Sequence, residues 1–172
     1  DMFYQMFILG TGNLDIALKK NIGGVIFFSK DIESKTQFKN LIKYIKSGAK
    51  TPPFLSIDQE GGRVERTENI HERFLSPKQA FQKGEYFLLA QNKTMFNELA
   101  EFGINMNFAP CLDVNSNPNN PIIGERAFSN NPDEVCKGFD IVKMAYHGSN
   151  IIPVIKHFPG HGDANKDSHL EL

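Results

Sequence analysis

The sequence predicts an α/β fold with a parallel sheet. Short apolar runs alternate with helical periodicities, each run ends in a polar or Gly-rich loop, and the reactive side chains cluster just after the runs. Residues 2–9, 24–28, 54–57, 104–109 and 151–155 have strand character, most of them dominated by Ile, Val and Phe. Between the second and third runs, Phe38, Leu41, Ile42 and Ile45 recur at helical spacing, with Lys39, Lys43 and Lys46 left for water. Residues 85–102 form a second helical pattern stopped by Gly103. A third helix starts with Asn131 as cap and Pro132 in the first position, has Glu134 in its first turn, ends near Gly148, and buries the neighbourhood of Phe139, Val142 and Met144.

Parallel strands joined by helices carry their ligands at the carboxyl ends of the strands, the active edge of a (β/α)8 TIM-type barrel. Asp58 follows the third run, Asp113 the fourth and Lys156-His157 the fifth, so one edge collects them all. A closed barrel needs about 250 residues and eight strands. The chain therefore supplies roughly the N-terminal five strands, and residues 1–172 are expected to be the N-terminal part of a single catalytic barrel domain.

Composition limits the partners. Lys+Arg 19 against Asp+Glu 20 gives a formal net charge of -1, which provides no field for nucleic acid or an anionic membrane. No apolar run approaches the roughly 20 residues of a membrane span. Cys111 and Cys136 have neither metal nor disulfide-framework spacing, and no basic, apolar leader precedes them, so a cytoplasmic monomer without a cofactor is expected.

Three segments can carry chemistry. In Asp58-Gln59-Glu60-Gly61-Gly62-Arg63-Val64, the glycines permit unusual backbone angles and close approach of a ligand. Asp58 could accept from two sugar hydroxyls and Arg66 could donate to others, while Glu60 and Arg63 are assigned to structure as an internal pair. The alternative for the segment is a tight strand-to-helix connection. Pro121-Ile122-Ile123-Gly124-Glu125-Arg126 follows an Asn- and Pro-rich loop, and the Arg126 guanidinium suits hydroxyl or carbonyl oxygens. A bridge from Arg126 to Glu125, and a loop-capping role for Asp113, are equally compatible with these residues.

The third segment, Lys156-His157-Phe158-Pro159-Gly160-His161-Gly162-Asp163 with Asp167-Ser168-His169, packs many titratable groups into a short span. His169, with Asp167 to stabilise its cationic form, could deliver and retrieve a proton, a role worth about 10²–10⁴-fold in rate. The alternative is that the histidines only bond loop carbonyls. His157 and His161 are four apart, a zinc spacing on a helix, but Pro159, Gly160 and Gly162 oppose a helix, and no metal is expected.

With Gly23-Gly24-Val25-Ile26-Phe27-Phe28, Asn107-Phe108-Ala109-Pro110-Cys111-Leu112-Asp113-Val114 and Ile123-Gly124-Glu125-Arg126-Ala127-Phe128, these segments lie in order along nearly the whole chain, and together they resemble glycoside hydrolase family 3, in particular its bacterial β-N-acetylglucosaminidases of peptidoglycan recycling. The resemblance implies a TIM-type barrel and retaining hydrolysis of terminal β-linked N-acetylglucosamine from muropeptide or glycan substrates. It implies that Asp58, Arg66, Arg126, Lys156 and His157 bind the sugar, that His169 is the general acid/base with Asp167 as its partner, and that the nucleophile is an aspartate beyond Leu172. Gly160 and Gly162 are then expected to let His169 swing in over a bound sugar. A phosphorylase, whose His acid/base would not repel phosphate, and a non-catalytic sugar-binding partial barrel are the competing functions.

Overall fold

The structure, a computed structural model, describes residues 2–167. Strands β1 (Ile8–Leu9), β2 (Gly24–Phe27), β3 (Phe54–Ile57), β4 (Met106–Asn107) and β5 (Ile152–Pro153) form one sheet in chain order, with every neighbouring pair parallel. Helices fill each connection: α1 (Leu14–Lys19), α2 (Lys35–Gly48), α3 (Pro77–Gln82) with α4 (Glu85–Phe102), and α5 (Pro132–Tyr146). This is the α/β order in which strands and helices follow one another around a (β/α)8 barrel.

Helix α2 forms where its pattern predicts. Ser34 accepts from the Gln37 N–H at 3.2 Å, which satisfies one orphan donor of the first turn. Its stripe of Phe38, Ile42 and Ile45 is buried, and Phe38 meets Phe27 of β2 edge-on at 5.1 Å and Phe102 of α4 at 5.2 Å. Helix α4 has the predicted bounds and ends at Gly103 in the left-handed conformation. Helix α5 is capped by Asn131 as expected, but its buried side is Val135, Gly138, Ile141, Val142, Ala145 and Tyr146, while Met144 is 55% exposed. Spacings of three and four residues select that stripe, and they carry Met144 off it. Helix α3, capped by Ser76, had no prediction.

The strands are shorter than their apolar runs. Residues 2–6 curl into a 3-10 helix in which Phe3 packs edge-on against Tyr4 and Phe7, and only Ile8–Leu9 pairs with β2. Around β4, asparagine side chains replace backbone in the ladder. Asn105 accepts from the Leu55 N–H at 2.7 Å, and Asn107 accepts from the Gln59 N–H at 2.9 Å and donates to the Gln59 carbonyl at 3.0 Å. The β3–β4 seam thus extends past the strand ends towards Asp58. β5 is interrupted by Pro153, which has no N–H, yet its alignment continues through Val154 N to Asn107 O at 2.8 Å and Leu112 N to Lys156 O at 2.7 Å. That extension carries Lys156 to the carboxyl edge beside Cys111.

Candidate active site

Three consecutive strand connections at the carboxyl edge supply the site. After β3, Glu60 and Gly61 both donate to the Val64 carbonyl, closing a tight turn. Gly61 and Gly62 have φ of 94° and 62°, and an added Cβ would stand 2.4 Å from the Leu75 carbonyl oxygen and 2.6 Å from Ser76 Cβ. The close approach that these glycines permit is therefore to the chain itself, at residues 74–76, and not to a ligand. Beneath the turn, buried Glu65 accepts from Gln59, from Thr67 Oγ1 at 2.8 Å and from the Phe74 N–H at 3.3 Å, which fixes the backbone that presents Asp58 and Glu60.

The expected Glu60–Arg63 pair does not form. Arg63 reaches instead to the carbonyls of Pro121 and Ile122. Glu60, almost wholly removed from water, takes Arg126 bidentately, Nε to Oε2 at 2.9 Å and NH2 to Oε1 at 3.0 Å, and also contacts the Lys156 ammonium. Arg126 accordingly does not bridge to Glu125, whose carboxylate faces the Ser76 hydroxyl. Burial pushes the Glu60 carboxyl up, but Arg126 and Lys156 outweigh it and hold the group below the usual carboxylate range.

Lys156 Nζ lies 2.9 Å from Asp58 Oδ1, which joins the ends of β5 and β3. His157 projects beside it, with Nδ1 2.5 Å from Asp113 Oδ2 and Nε2 3.4 Å from Arg126 NH2. Asp113 is more than a loop cap. It also accepts from the Cys111 thiol at 3.1 Å and from the His161 N–H at 2.5 Å. Burial raises Asp113, but His157, the His161 N–H and Cys111 overcome that and hold it at about 2. With Asp113 ionised, a neutral His157 carries its proton on Nδ1 and leaves Nε2 as an acceptor.

The remaining predicted residues are Arg66, Asp167 and His169. Arg66 stands over the Phe28 ring at 5.6 Å, and its buried Nε has no hydrogen-bond partner among the described residues. Asp167 is half-buried at the end of the described residues, and His169 lies outside them. At Gly162 a Cβ would be 1.7 Å from the Val114 carbonyl oxygen, so the chain is pressed against the β4 loop and the glycine serves that close approach. Gly160, with φ of 147° and no neighbour near its Cβ position, keeps its freedom.

A cavity of about 530 Å³ opens beside Lys156 and His157, bounded also by Asp113 and Pro159. Among the described residues, one group has metal-ligand chemistry: Cys111, Asp113 and His157, whose donor atoms lie within 4.8 Å of one another. Shared hydrogens already connect these three, and burial, followed by the charges of Asp113 and Glu60, pushes the Cys111 thiol up, away from the thiolate a metal would need. Sequence reasoning placed Asp113 on this edge without its partners, assigned Glu60 to structure and missed Cys111. The available signal was position: each follows a strand end within a few residues.

Fold and site together define an α/β protein whose strand ends present alternating carboxylates and cations suited to a polyhydroxylated ligand. Residues 12–172 match the glycosyl hydrolase family 3 N-terminal domain. The chain is 39% identical to beta-hexosaminidase A of Pseudoalteromonas piscicida, over 92% of this chain and 28% of that protein. It is 32% identical to a beta-hexosaminidase of Xanthomonas axonopodis pv. citri, over 96% of this chain and 53% of that protein. Among solved structures, a glycoside hydrolase family 3 beta-N-acetylglucosaminidase from Paenibacillus sp. superposes with a TM-score of 0.89 at 30% identity, over 96% of this chain and 34% of the other. NagZ from Neisseria gonorrhoeae, in complex with N-trifluoroacetyl-D-glucosamine, superposes with a TM-score of 0.84 at 27% identity, over 96% and 53%. The chain belongs to glycosyl hydrolase family 3, and it spans between about a quarter and about half of the length of these relatives.

Proposed function

We propose that these residues form the sugar-gripping part of a retaining exo-β-N-acetylglucosaminidase that removes terminal β-linked N-acetylglucosamine from peptidoglycan-derived fragments in the cytoplasm. The observation that carries the reading is the Lys156–Asp58 pair, backed by Glu60, with Lys156 also lining the cavity. Lys156 has three donors, two of them directed at Asp58 and Glu60, so one remains for a hydroxyl. Asp58 has an oxygen to spare, and His157 Nε2 is placed to accept. Arg126, locked on Glu60, presents its outer edge beside His157, and the free Nε of Arg66 matches a further oxygen. The names of the relatives and the sugar analogue bound by the Neisseria protein support N-acetylglucosamine as the class of ligand.

In this reading Asp167 and His169 transfer the proton. A retaining enzyme ordinarily uses two carboxyl groups about 5–5.5 Å apart, and here a histidine–aspartate pair replaces one of them. The nucleophile in this reading is an aspartate beyond Leu172, as the family resemblance implies, while Asp58, Glu60 and Asp113 are each engaged by a cation or a histidine.

The test uses the full-length gene product with chromogenic N-acetyl-β-glucosaminides and β-glucosides, then with muropeptides in phosphate buffer. Faster release from the N-acetyl substrates, with free N-acetylglucosamine as product, is expected. Sugar 1-phosphate would identify a phosphorylase, and binding without turnover a sugar-binding module.

A further inference from the structure

Asn120 belongs to no part of the site described so far, yet it is 7% exposed and uses both ends of its amide. Its Oδ1 accepts from the backbone N–H groups of Ile122 and Ile123, both at 2.8 Å, and its Nδ2 donates to the His161 carbonyl at 2.6 Å. The first pair of bonds shapes the turn that delivers Arg126. The third holds the loop that runs from His157 towards Asp167. The same loop is held on its other side by Asp113, whose two oxygens take the His161 N–H and the His157 ring. His157 in turn neighbours Arg126. The path from Asn120 through His161, Asp113, His157 and Arg126 therefore returns to Asn120 as a closed circuit.

Further ties fix the same stretch. Asn117 Nδ2 donates to the Ala164 carbonyl at 3.1 Å and to Asn165 Oδ1 at 2.7 Å, and the Asn117 N–H reaches the Gly162 carbonyl at 3.3 Å. The Asn-rich loop after β4 is thus the bed on which residues 161–165 lie. Within it, Asn120 is placed to join that bed to the Arg126 turn. An amide suits this position because two N–H groups need an acceptor while a carbonyl needs a donor, and both roles sit on one uncharged group.

We infer that Asn120 is a positioning residue for proton transfer, setting the loop that leads to Asp167 and His169 at a fixed distance from the residues that grip the sugar. The inference rests on the β-N-acetylglucosaminidase reading and adds a residue to it. Proton transfer requires heavy atoms within about 2.6–3.2 Å, and a displacement of about 1 Å can cost about 10²-fold. Lys156 and Asp58 bond to each other, and Lys156 to Glu60, without a direct bond to Asn120.

Asn120→Asp tests this in the full-length enzyme. It retains the acceptor for Ile122 and Ile123 but places an oxygen against the His161 carbonyl, so it disturbs the loop and spares the turn. We compare kcat/KM for two substrates: diacetylchitobiose, whose sugar alcohol leaves only with a proton, and a 2,4-dinitrophenyl N-acetyl-β-glucosaminide, whose phenolate leaves without one. Loss of proton-transfer geometry lowers the first by at least about tenfold and the second by less than about twofold. A structural role alone moves both equally, so equal losses, or no loss on either substrate, overturn the inference. If Asn120→Asp does not fold by circular dichroism, the uncharged Asn120→Ser carries the same comparison. A wild-type enzyme that hydrolyses neither substrate overturns the underlying reading instead, which separates the two failures.

Discussion

The Arg126 guanidinium meets the Glu60 carboxylate along two parallel bonds, 2.9 and 3.0 Å, with the carboxylate almost completely out of water. Bidentate geometry of this kind fixes direction as well as distance, so the position of Arg126 is inherited from the β3 turn. Lys156, from the end of β5, shares the same carboxylate. One buried anion therefore sets the separation of two cations that come from different strand connections.

Glu60→Gln keeps the shape and removes the charge, leaving two cations facing each other with reduced compensation. Breaking a buried pair by removing one partner costs about 3–5 kcal/mol. Urea unfolding should show a loss of that order, and titration calorimetry should show affinity for N-acetylglucosamine falling by at least about tenfold. Unchanged stability would mean that the pair is not maintained in solution.

Asp113 makes an acid-dependent prediction. Its carboxyl is held at about 2 against an ordinary value of 3.8. A depressed folded-state value means that its stabilisation is complete above the unfolded value and is lost as the pH falls towards the folded one. The window is therefore between about pH 4 and pH 2. Holding the carboxyl at about 2 instead of 3.8 corresponds to about 2 kcal/mol. Urea unfolding across that window should show Asp113→Asn to be less stable than wild type at pH 7 by roughly this amount, with the difference shrinking as the pH approaches 2. A constant difference would assign the loss to packing.

Gly162→Ala forces a Cβ to within 1.7 Å of the Val114 carbonyl oxygen unless the backbone moves. The loop must then lift from the Asn-rich bed. We expect a lower melting temperature and a fall of about 10²-fold in kcat/KM for substrates whose leaving group needs a proton. Gly160→Ala, where a Cβ meets open space but φ is 147°, should disturb the site less. Equal effects at both glycines would place the constraint in backbone conformation and not in contact with Val114.

His169→Ala in the full-length enzyme should reduce kcat by about 10²–10⁴-fold while leaving the dissociation constant for N-acetylglucosamine nearly unchanged. A large loss of binding would make His169 a sugar-gripping residue and reassign the proton transfer.

Much of the fold was legible because it rests on periodicity. The Phe38–Ile42–Ile45 stripe, the stop at Gly103 and the Asn131 cap are local consequences of local residues. The strand ends were less so. Asn105 and Asn107 continue the ladder with side chains, and residues 2–6 curl away despite their apolar character, because pairing partners lie far off in sequence. In the site, the carboxyl-edge rule brought Asp58, Asp113, Lys156 and His157 together. It gave no means of telling that Glu60 would choose Arg126 over Arg63, a choice made by two turns whose approach depends on the sheet. Asn120 and the partners of Asp113 were hidden for the same reason: His157 and His161 are on the next strand connection.

The most direct measurement is a crystal structure of the full-length protein with N-acetylglucosamine bound. The account predicts pyranose hydroxyls within hydrogen-bond distance of Lys156 Nζ, the Asp58 carboxylate and His157 Nε2, with Arg126 still held by Glu60. A sugar seated away from Lys156 and Asp58, or an Arg126 released from Glu60 to reach it, would contradict the account.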